Sequence, residues 1–289
     1  MRSAPQVVAY PCHTSCLAWP MRRSHIAANA CCRHALSLLL FLACAVPASA
    51  DELSARWREA ERAIGIPILL PADRQLPNGS GCANFDRLQP ADHPAAAAYL
   101  KLYVEEFSKY PKGLLRRVGV EWVALVKNLS ICGDPRQASY FPTFAFHSMA
   151  PGGGLIFDVR QGATSDAYLK WAMHHEFFHF VDAAQPPREM RAWAALNPAK
   201  FRYSGMDAAF AGKLEHPELG MVTRYAMKSI AEDRAEIAAA LFTDESRDSL
   251  RHIARGDPII RKKVEKIMRT FAAIEPAMGR SYFSNRLGR

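Results

Sequence analysis

The residues with the clearest chemical potential lie between positions 175 and 179, where the sequence reads HEFFH. Histidines four positions apart lie one turn apart on the same face of a helix, so both imidazoles can reach one metal ion. Glu176 projects about 100° around the helix from His175, where it can reach a water on the metal without ligating the metal. The pattern predicts His175 and His179 as zinc ligands and Glu176 as the general base of a hydrolase.

Composition alone does not explain this motif. With 10 histidines in 289 residues, we expect the pattern by chance only about 0.02 times per chain. Apolar residues surround the polar trio, so the motif is expected on a buried helix, where two histidines and a glutamate without a metal would need other polar partners. His174 points away from the face that His175 and His179 share, and it is not predicted as a ligand.

A catalytic zinc keeps three protein ligands and one open position, so a third ligand is required. The metzincin pattern is absent, because Asp182 and Gln185 occupy the positions of its glycine and its third ligand. Asp182 lies less than one turn past the second histidine and is better placed to hydrogen-bond a ligand than to bind the metal. A second apolar helix, residues 225–242, carries Glu232 and Glu236 one turn apart, and both carboxylates are candidates.

Two short blocks together resemble a known family. The block HEFFHFVD and the later block YAMKSIAEDRAE are similar to the catalytic region of gluzincin metallopeptidases of the anthrax lethal factor type. That resemblance implies Glu232 as the third zinc ligand and Tyr225 as a phenol that faces the metal-bound oxygen. It also implies that Asp182 and Glu236 contact the zinc ligands without binding the metal themselves. The resemblance extends over residues 166–242, so no substrate groove and no target is carried over from the family.

The first fifty residues are expected to be an N-terminal extension and signal peptide, with translation starting at Met21. A basic stretch precedes an apolar run at residues 36–46, and the small residues 48–50 form an AxA cleavage site before Asp51. The apolar run is too short to anchor the chain in a bilayer, so no stable membrane insertion is expected after processing. The mature protein, residues 51–289, is predicted to be exported, either periplasmic or secreted.

Cysteine usage agrees with export. Five of the seven cysteines fall in the segment that is expected to be removed. The remaining pair, Cys82 and Cys132, is predicted to form one disulfide, because an exported domain meets an oxidising compartment. Two free buried thiols are the alternative.

The net charge does not indicate a nucleic-acid partner. The formal charge of +9 falls to +5 in the mature chain, because residues 1–50 contain four arginines and no acid. Small basic clusters remain, such as residues 261–263, and without interleaved aromatic residues or a groove-reading motif they are expected to be solvated surface. The expected partner is a peptide or protein substrate.

The predicted helices and strands indicate an α+β fold. We expect a single zincin-like domain in which a small sheet packs on the motif helix and further helices complete the core. Predicted helices cover residues 53–64, 94–108, 166–184, 229–242 and 257–273, and predicted strands cover residues 118–128, 140–147 and 155–159. Ser165 is expected to cap the motif helix. Residues 152–154, three glycines, are expected to form a turn between the last two strands. Residues 155–159 are the candidate edge strand for an extended peptide.

These observations favour a zinc-dependent metallopeptidase in which a zinc-activated water attacks the peptide bond. Glu176 would accept the proton of that water, and Tyr225 would help to hold the oxyanion. The alternative from another class is a catalytically silent, zinc-stabilised binding domain at the cell surface or in the periplasm. Such a domain could lose its general base, whereas this chain retains Glu176. A basic cell-wall or nucleic-acid binding protein would leave the motif unexplained.

Overall fold

A computed structural model describes residues 50–69, 83–131, 133–136, 138–141, 153–159, 165–205 and 212–287. These residues all belong to one compact unit, Val46–Arg289. Residues 1–49 of the expected signal peptide and both cysteines of the predicted disulfide, Cys82 and Cys132, lie outside the described residues. Within the described ranges, no helix is both long enough and apolar enough to cross a bilayer.

The described part of the chain is a mixed α+β structure, mostly helical with a small sheet. The strands are β1 (Ile68–Leu69), β2 (Ala83–Asp86), β3 (Val120–Ile131), β4 (Asp134–Pro135), β5 (Ala138–Phe141) and β6 (Gly153–Asp158). The main order across the sheet is β1, β3, β6, β5. Strand β3 runs parallel to β1 and β6, and β5 runs antiparallel to β6. Strands β2 and β4 pair with the C-terminal half of β3.

Strand β3 lies at the centre of the sheet because apolar side chains on both of its faces are buried. Val123 and Leu125 contribute to the main core, whereas Trp122, Ala124 and Val126 contribute to a smaller apolar cluster. A continuous apolar run, rather than an alternation of apolar and polar residues, is typical of a strand that is covered on both sides.

The glycines at the start of β6 correct one prediction. They were expected to form a turn, yet Gly153 and Gly154 are paired with Val120 and Trp122 of β3. A Cβ atom at Gly154 would lie 2.2 Å from the Trp122 ring. The absence of a side chain at Gly154 therefore leaves space for the buried Trp122 ring. This requirement explains why glycine occurs within a strand here.

Helices make up most of the structure. They are α1 (Ala50–Ile64), α2 (His93–Phe107), α3 (Leu114–Arg117), α4 (Asp166–Ala183), α5 (Pro187–Ala194), α6 (Ile230–Phe242), α7 (Asp244–Gly256), α8 (Pro258–Ile274) and α9 (Arg280–Leu287). The predicted helices correspond to α1, α2, α4, α6 and α8, whereas α3, α5, α7 and α9 were not predicted. Helix α5 begins directly at Pro187, because the fixed φ of proline suits the first turn of a helix.

Helix α4, which carries the HEFFH motif, is buried along most of its length. It packs against α6, with α2 and β5 also beside it. A helix that is apolar on nearly all sides is expected to lie in the core. The Ser165 hydroxyl accepts a hydrogen bond from the Tyr168 backbone N–H at 3.3 Å, so the predicted cap is present.

The position of β6 contradicts the prediction that residues 155–159 form the peptide-binding edge. Leu155 and Ile156 pair with β3 on one side and with β5 on the other, so their backbone groups are already used within the sheet. Among the described strands, β5 pairs with β6 alone. The edge beside the motif helix therefore belongs to β5.

Candidate metal centre

Helix α4 brings two imidazoles to one point. The Nε2 atoms of His175 and His179 lie 3.2 Å apart. Both side chains are buried, with exposed fractions of 2% and 8%. The two rings are one helical turn apart, as the spacing in the sequence predicts.

The first turn of α6 supplies a carboxylate to the same point. Glu232 Oε2 lies 3.0 Å from His175 Nε2 and 3.5 Å from His179 Nε2. The Ser229 hydroxyl accepts a hydrogen bond from the Glu232 backbone N–H at 3.2 Å, which sets where α6 begins. In the described part of the chain, this trio has ligand atoms within 4.8 Å of one another.

The three separations fit a tetrahedral zinc ion. Ligand atoms about 2.0 to 2.1 Å from zinc at tetrahedral angles lie about 3.3 to 3.4 Å from each other. The observed separations of 3.0, 3.2 and 3.5 Å bracket that value. Two facing imidazole nitrogens also cannot both be bare acceptors without repulsion, and one cation between them satisfies both lone pairs. The donor set therefore fits zinc.

Glu236 lies one turn beyond Glu232 and contacts the ring nitrogen of His175 that faces away from His179 and Glu232. Its Oε1 atom accepts hydrogen bonds from His175 Nδ1 at 2.8 Å and from Trp171 Nε1 at 2.9 Å. A carboxylate at Nδ1 keeps the hydrogen of the ring on that nitrogen, so Nε2 presents its lone pair toward His179 and Glu232. Of the two carboxylates on α6, Glu232 thus lies among the ligand atoms and Glu236 lies outside them.

Asp182 pairs with a residue of α6, and its carboxylate is not in the group of ligand atoms that converge. The Arg234 Nε–H donates to Asp182 Oδ1 at 2.5 Å, and both side chains are buried. Burial raises the pKa of Asp182, although Arg234 and then His179 act against that rise. Asp182 therefore acts on His179 electrostatically while it joins α4 to α6.

The charges at this centre call for a cation. Burial alone would raise the pKa of Glu232, but hydrogen bonds from His175 and His179 outweigh burial and hold that pKa well below its usual range. Burial alone would lower the pKa of His175, yet Glu232, Glu236 and Glu176 outweigh burial and raise it to about 10. In the absence of metal a proton would supply the positive charge that these carboxylates require.

Tyr225 lies beside His175 of α4 and Glu232 of α6. Its hydroxyl donates to Glu232 Oε1 at 3.4 Å, and its ring centroid is 5.7 Å from that of His175. A short 3-10 helix, Tyr225–Met227, precedes α6 and places the phenol there. Burial raises the pKa of Tyr225 well above its usual value, and Glu232 and Glu176 add to the rise. The phenol is therefore neutral and able to donate.

Glu176, the acidic residue of the motif, acts electrostatically on this phenol. Its side chain is half-buried. Its charge contributes to the raised pKa of both His175 and Tyr225. The Glu176 carboxylate is not in the group of ligand atoms that converge.

His174 faces the opposite side of α4, as expected. Its Nδ1 lies 2.8 Å from the Tyr110 hydroxyl, and its Nε2 lies 2.7 Å from Glu106 Oε2. Lys109 Nζ donates to the same carboxylate oxygen at 2.6 Å. This buried chain of polar contacts fastens the motif helix to α2, so His174 is a structural residue.

The sequence patterns did not predict a second buried network of hydrogen bonds, which is centred on Asp233. Asp233 Oδ2 accepts hydrogen bonds from Lys263 Nζ at 2.6 Å, from the Tyr203 hydroxyl at 2.7 Å and from Trp193 Nε1 at 2.8 Å. The basic cluster at residues 261–263 was expected to be solvated, but Lys263 is fully buried. A signal was available, because Lys263 lies at helical spacing between the buried residues Ile260 and Ile267.

Comparisons with known proteins add a single similarity. No protein-family model matches the chain, and no curated protein matches it. A crystal structure of a proposed zinc-binding metallo-peptidase from Bacteroides caccae is similar in fold at 17% sequence identity and a TM-score of 0.48. The similarity covers 82% of this chain and 92% of that chain.

Proposed function

We propose that this protein is an exported, zinc-dependent metallopeptidase of the gluzincin type that hydrolyses peptide bonds. The observation that carries the proposal is the convergence of His175, His179 and Glu232, whose ligand atoms lie 3.0 to 3.5 Å apart. These three residues would hold the metal. When bound, zinc polarises the scissile carbonyl and lowers the pKa of water.

The protein's own residues then supply the proton transfers. Glu176 accepts the proton of the attacking water, because it directly follows His175 in the HEFFH motif and its charge acts on both His175 and Tyr225. Glu236 keeps the hydrogen of His175 on Nδ1, through the contact of 2.8 Å. Tyr225 donates a hydrogen bond to the carbonyl oxygen as negative charge develops on it. Its raised pKa supports this role, since a neutral phenol retains the hydrogen that it must donate.

The substrate lies along β5 in this proposal. An extended peptide can add to the edge of a sheet through backbone hydrogen bonds, which bind it without demanding a particular sequence. The position of β5 at the sheet edge and beside α4 supports this placement. The basic stretch, apolar run and AxA site before Asp51 support export of the mature chain.

The decisive experiment measures metal and turnover on the purified mature chain, residues 51–289. We expect about one zinc per chain and hydrolysis in a peptide library that chelator abolishes and zinc restores. Glu176→Gln should keep zinc and fold but lose most turnover, because the amide cannot accept the proton. Glu59→Gln on the exposed face of α1 is the matched control and should leave turnover unchanged.

Each contrary outcome has a distinct meaning. A protein that binds zinc yet cleaves no peptide would be the silent, zinc-stabilised binding domain. A protein that does not bind zinc would contradict the ligand assignment itself. Turnover of Glu176→Gln within a few-fold of wild type would show that another group accepts the proton.

A further inference from the structure

An ion pair inside the protein joins the two helices that carry the proposed ligands. The Arg234 Nε–H donates to Asp182 Oδ1 at 2.5 Å, and the exposed fractions of the two side chains are 0% and 4%. Asp182 follows His179 by three residues on α4. Arg234 follows Glu232 by two residues on α6. At a rise of about 1.5 Å per residue, each partner lies less than one helical turn from a proposed ligand. The pair therefore links α4 and α6 at the level of the metal centre.

Two aromatic rings pack against the guanidinium of Arg234. Its Cζ atom lies 5.8 Å from the ring centroid of Phe178 on α4 and 5.0 Å from that of Trp193 on α5. Trp193 is itself anchored, because its Nε1–H donates to Asp233 Oδ2 at 2.8 Å. A planar guanidinium that packs on rings and is bonded to a carboxylate has little freedom to rotate. Arg234 is therefore a rigid link between α4 and α6.

The position of the third proposed ligand depends on how α6 is placed against α4. His175 and His179 belong to one helix, so helical geometry sets their separation. Glu232 meets them, at 3.0 and 3.5 Å, across the contact between two helices. A metal site needs ligand distances accurate to about 0.2 Å, so a small slide of α6 along α4 would displace the carboxylate. The Ser229 cap sets where α6 begins but not how α6 lies on α4.

The ion pair is poorly explained as a source of stability. Two charges lose their hydration when they are buried, and apolar residues of similar volume often stabilise a protein equally well or better. Nη1 and Nη2 of Arg234 are buried, and within the part of the chain that the structure describes they have no hydrogen-bond partner. A buried donor without a partner costs free energy. The ion pair supplies a fixed distance and direction between the two helices, which apolar contacts do not.

We propose that Arg234, through Asp182, is a positioning residue that holds Glu232 at ligand distance from the two histidines and so sets the affinity of the site for zinc. The proposal rests on the proposed metal centre and adds a residue that was not predicted from the sequence to act there. Arg234 touches neither the metal nor the substrate in this role. It acts on the distances between the ligand atoms, and through those distances on metal affinity.

A merely structural role for Arg234 leads to a different result. If the ion pair only stabilises the fold, its loss lowers the free energy of unfolding of the metal-free protein and leaves the zinc affinity of folded molecules unchanged. If the pair positions Glu232, an apolar replacement of both partners keeps the metal-free fold stable and weakens zinc binding. Zinc affinity and stability must therefore be measured side by side on the same variants.

The test uses variants of the mature chain, residues 51–289. Asp182→Leu/Arg234→Met replaces both partners by apolar residues, so that neither charge is left buried alone. Arg234→Met removes the link but keeps the carboxylate of Asp182. Asp182→Asn removes the charge that acts on His179 but keeps an oxygen that can accept the hydrogen bond of Arg234. Arg191→Met, at an exposed position on α5, is the matched control.

Competition with a chelator measures zinc affinity, and urea unfolding of the metal-free protein measures stability. The double variant should unfold at a urea concentration no lower than that of wild type, yet bind zinc about 10- to 100-fold more weakly. Arg234→Met should lose zinc affinity to a similar extent, Asp182→Asn should lose less, and Arg191→Met should change neither quantity. A loss in Asp182→Asn as large as in Arg234→Met would attribute the effect to the charge of Asp182 and would overturn the positioning role.

A spectroscopic readout reports on the ligand geometry directly. Cobalt(II) in place of zinc absorbs visible light strongly in a tetrahedral site and weakly in a six-coordinate one. Wild type should give the strong spectrum and the double variant the weak one, because water would replace a displaced Glu232. An unchanged spectrum with zinc affinities within about 2-fold of wild type would overturn the proposal while leaving the peptidase function intact. Failure of wild type to bind zinc would instead contradict the metal centre itself, and this proposal with it.

Discussion

His175 Nδ1 and Glu236 Oε1 lie 2.8 Å apart, and this contact determines which nitrogen of His175 faces the metal centre. Trp171 donates to the same oxygen at 2.9 Å, so Glu236 is fixed in position from two directions. Glu232 makes the opposite use of a carboxylate, because its Oε2 atom lies directly among the ligand nitrogens. One helical turn of α6 therefore separates the proposed ligand Glu232 from Glu236, the residue that would orient His175.

This division of roles predicts an unequal effect on metal content. Glu232→Ala should weaken zinc binding far more than Glu236→Ala, because loss of an outer contact typically costs about 10- to 100-fold in metal affinity. Competition with a chromophoric chelator measures both affinities, with His175→Ala/His179→Ala as the reference for an empty site. A larger loss in Glu236→Ala would place the third ligand one turn further along α6.

Tyr225→Phe should leave zinc content nearly unchanged and lower turnover. The contact of the phenol with Glu232 is long, at 3.4 Å, so its removal should disturb the ligand geometry little. An oxyanion donor is worth about 2.7 to 4 kcal/mol, so kcat and kcat/KM should fall together by about 100-fold or more. Steady-state kinetics and a thermal melt test this. A destabilised fold with normal turnover per folded molecule would make Tyr225 a core residue.

Lys263→Met should destabilise the fold by about 3 to 5 kcal/mol, because it leaves the carboxylate of Asp233 buried without its partner charge. Urea unfolding measures the change, and Lys262→Met, at an exposed position of α8, is the matched control. Adding Asp233→Asn to Lys263→Met should recover part of the loss. A Lys263→Met variant as stable as Lys262→Met would show that the buried pair contributes no net stability.

We expect the ionisation of Asp257 to make the free energy of unfolding depend on pH in the acid range. Burial would raise its pKa, but backbone N–H groups of Gly220, Ile260 and Ile259 and the side chain of His216 outweigh burial and lower it. A lowered folded pKa stabilises the protein above the unfolded value of about 3.9, and that stability is lost as pH falls through the folded pKa.

Asp257→Asn provides the measurement. The asparagine keeps a cap for α8 but cannot carry the charge, so the variant should be less stable than wild type at pH 6 by about 0.3 to 1 kcal/mol, the usual contribution of a negative charge at a helix N-terminus. The difference should shrink as pH falls below about 4. Urea unfolding at several pH values tests this, and a difference that does not change with pH would exclude the proposed charge effect.

Local patterns predicted the parts of this molecule that depend on neighbours in the chain. The spacing of His175 and His179 specifies their convergence, because helical geometry alone brings them to one face. The cap at Ser165 follows from its own hydroxyl and the next few backbone groups. The placement of Glu232 rather than Glu236 at the centre came from the resemblance, since both positions suit one face of a helix.

Features that depend on distant parts of the chain were harder to predict. The edge of the sheet was assigned to residues 155–159, because strand order is set by pairing between segments that are far apart. Gly154 was interpreted as part of a turn, because the Trp122 ring that requires a glycine there lies on another strand. Lys263 was interpreted as surface, because its partner Asp233 lies on a different helix.

The three proposed ligands are divided between α4 and α6, and this division would affect how the protein acquires the proposed zinc ion. Glu232 is 57 residues from His175 in the sequence, whereas His179 is four residues from it, so the three proposed ligands come together only when the chain is folded. Tight binding requires α4 and α6 to be docked, so zinc discriminates folded from unfolded chains, and its binding energy adds to folding stability. Each tenfold excess of free zinc over its dissociation constant therefore adds about 1.4 kcal/mol against unfolding. If the proposed function is right, metal supply would control how long the folded protein persists as well as whether it is active.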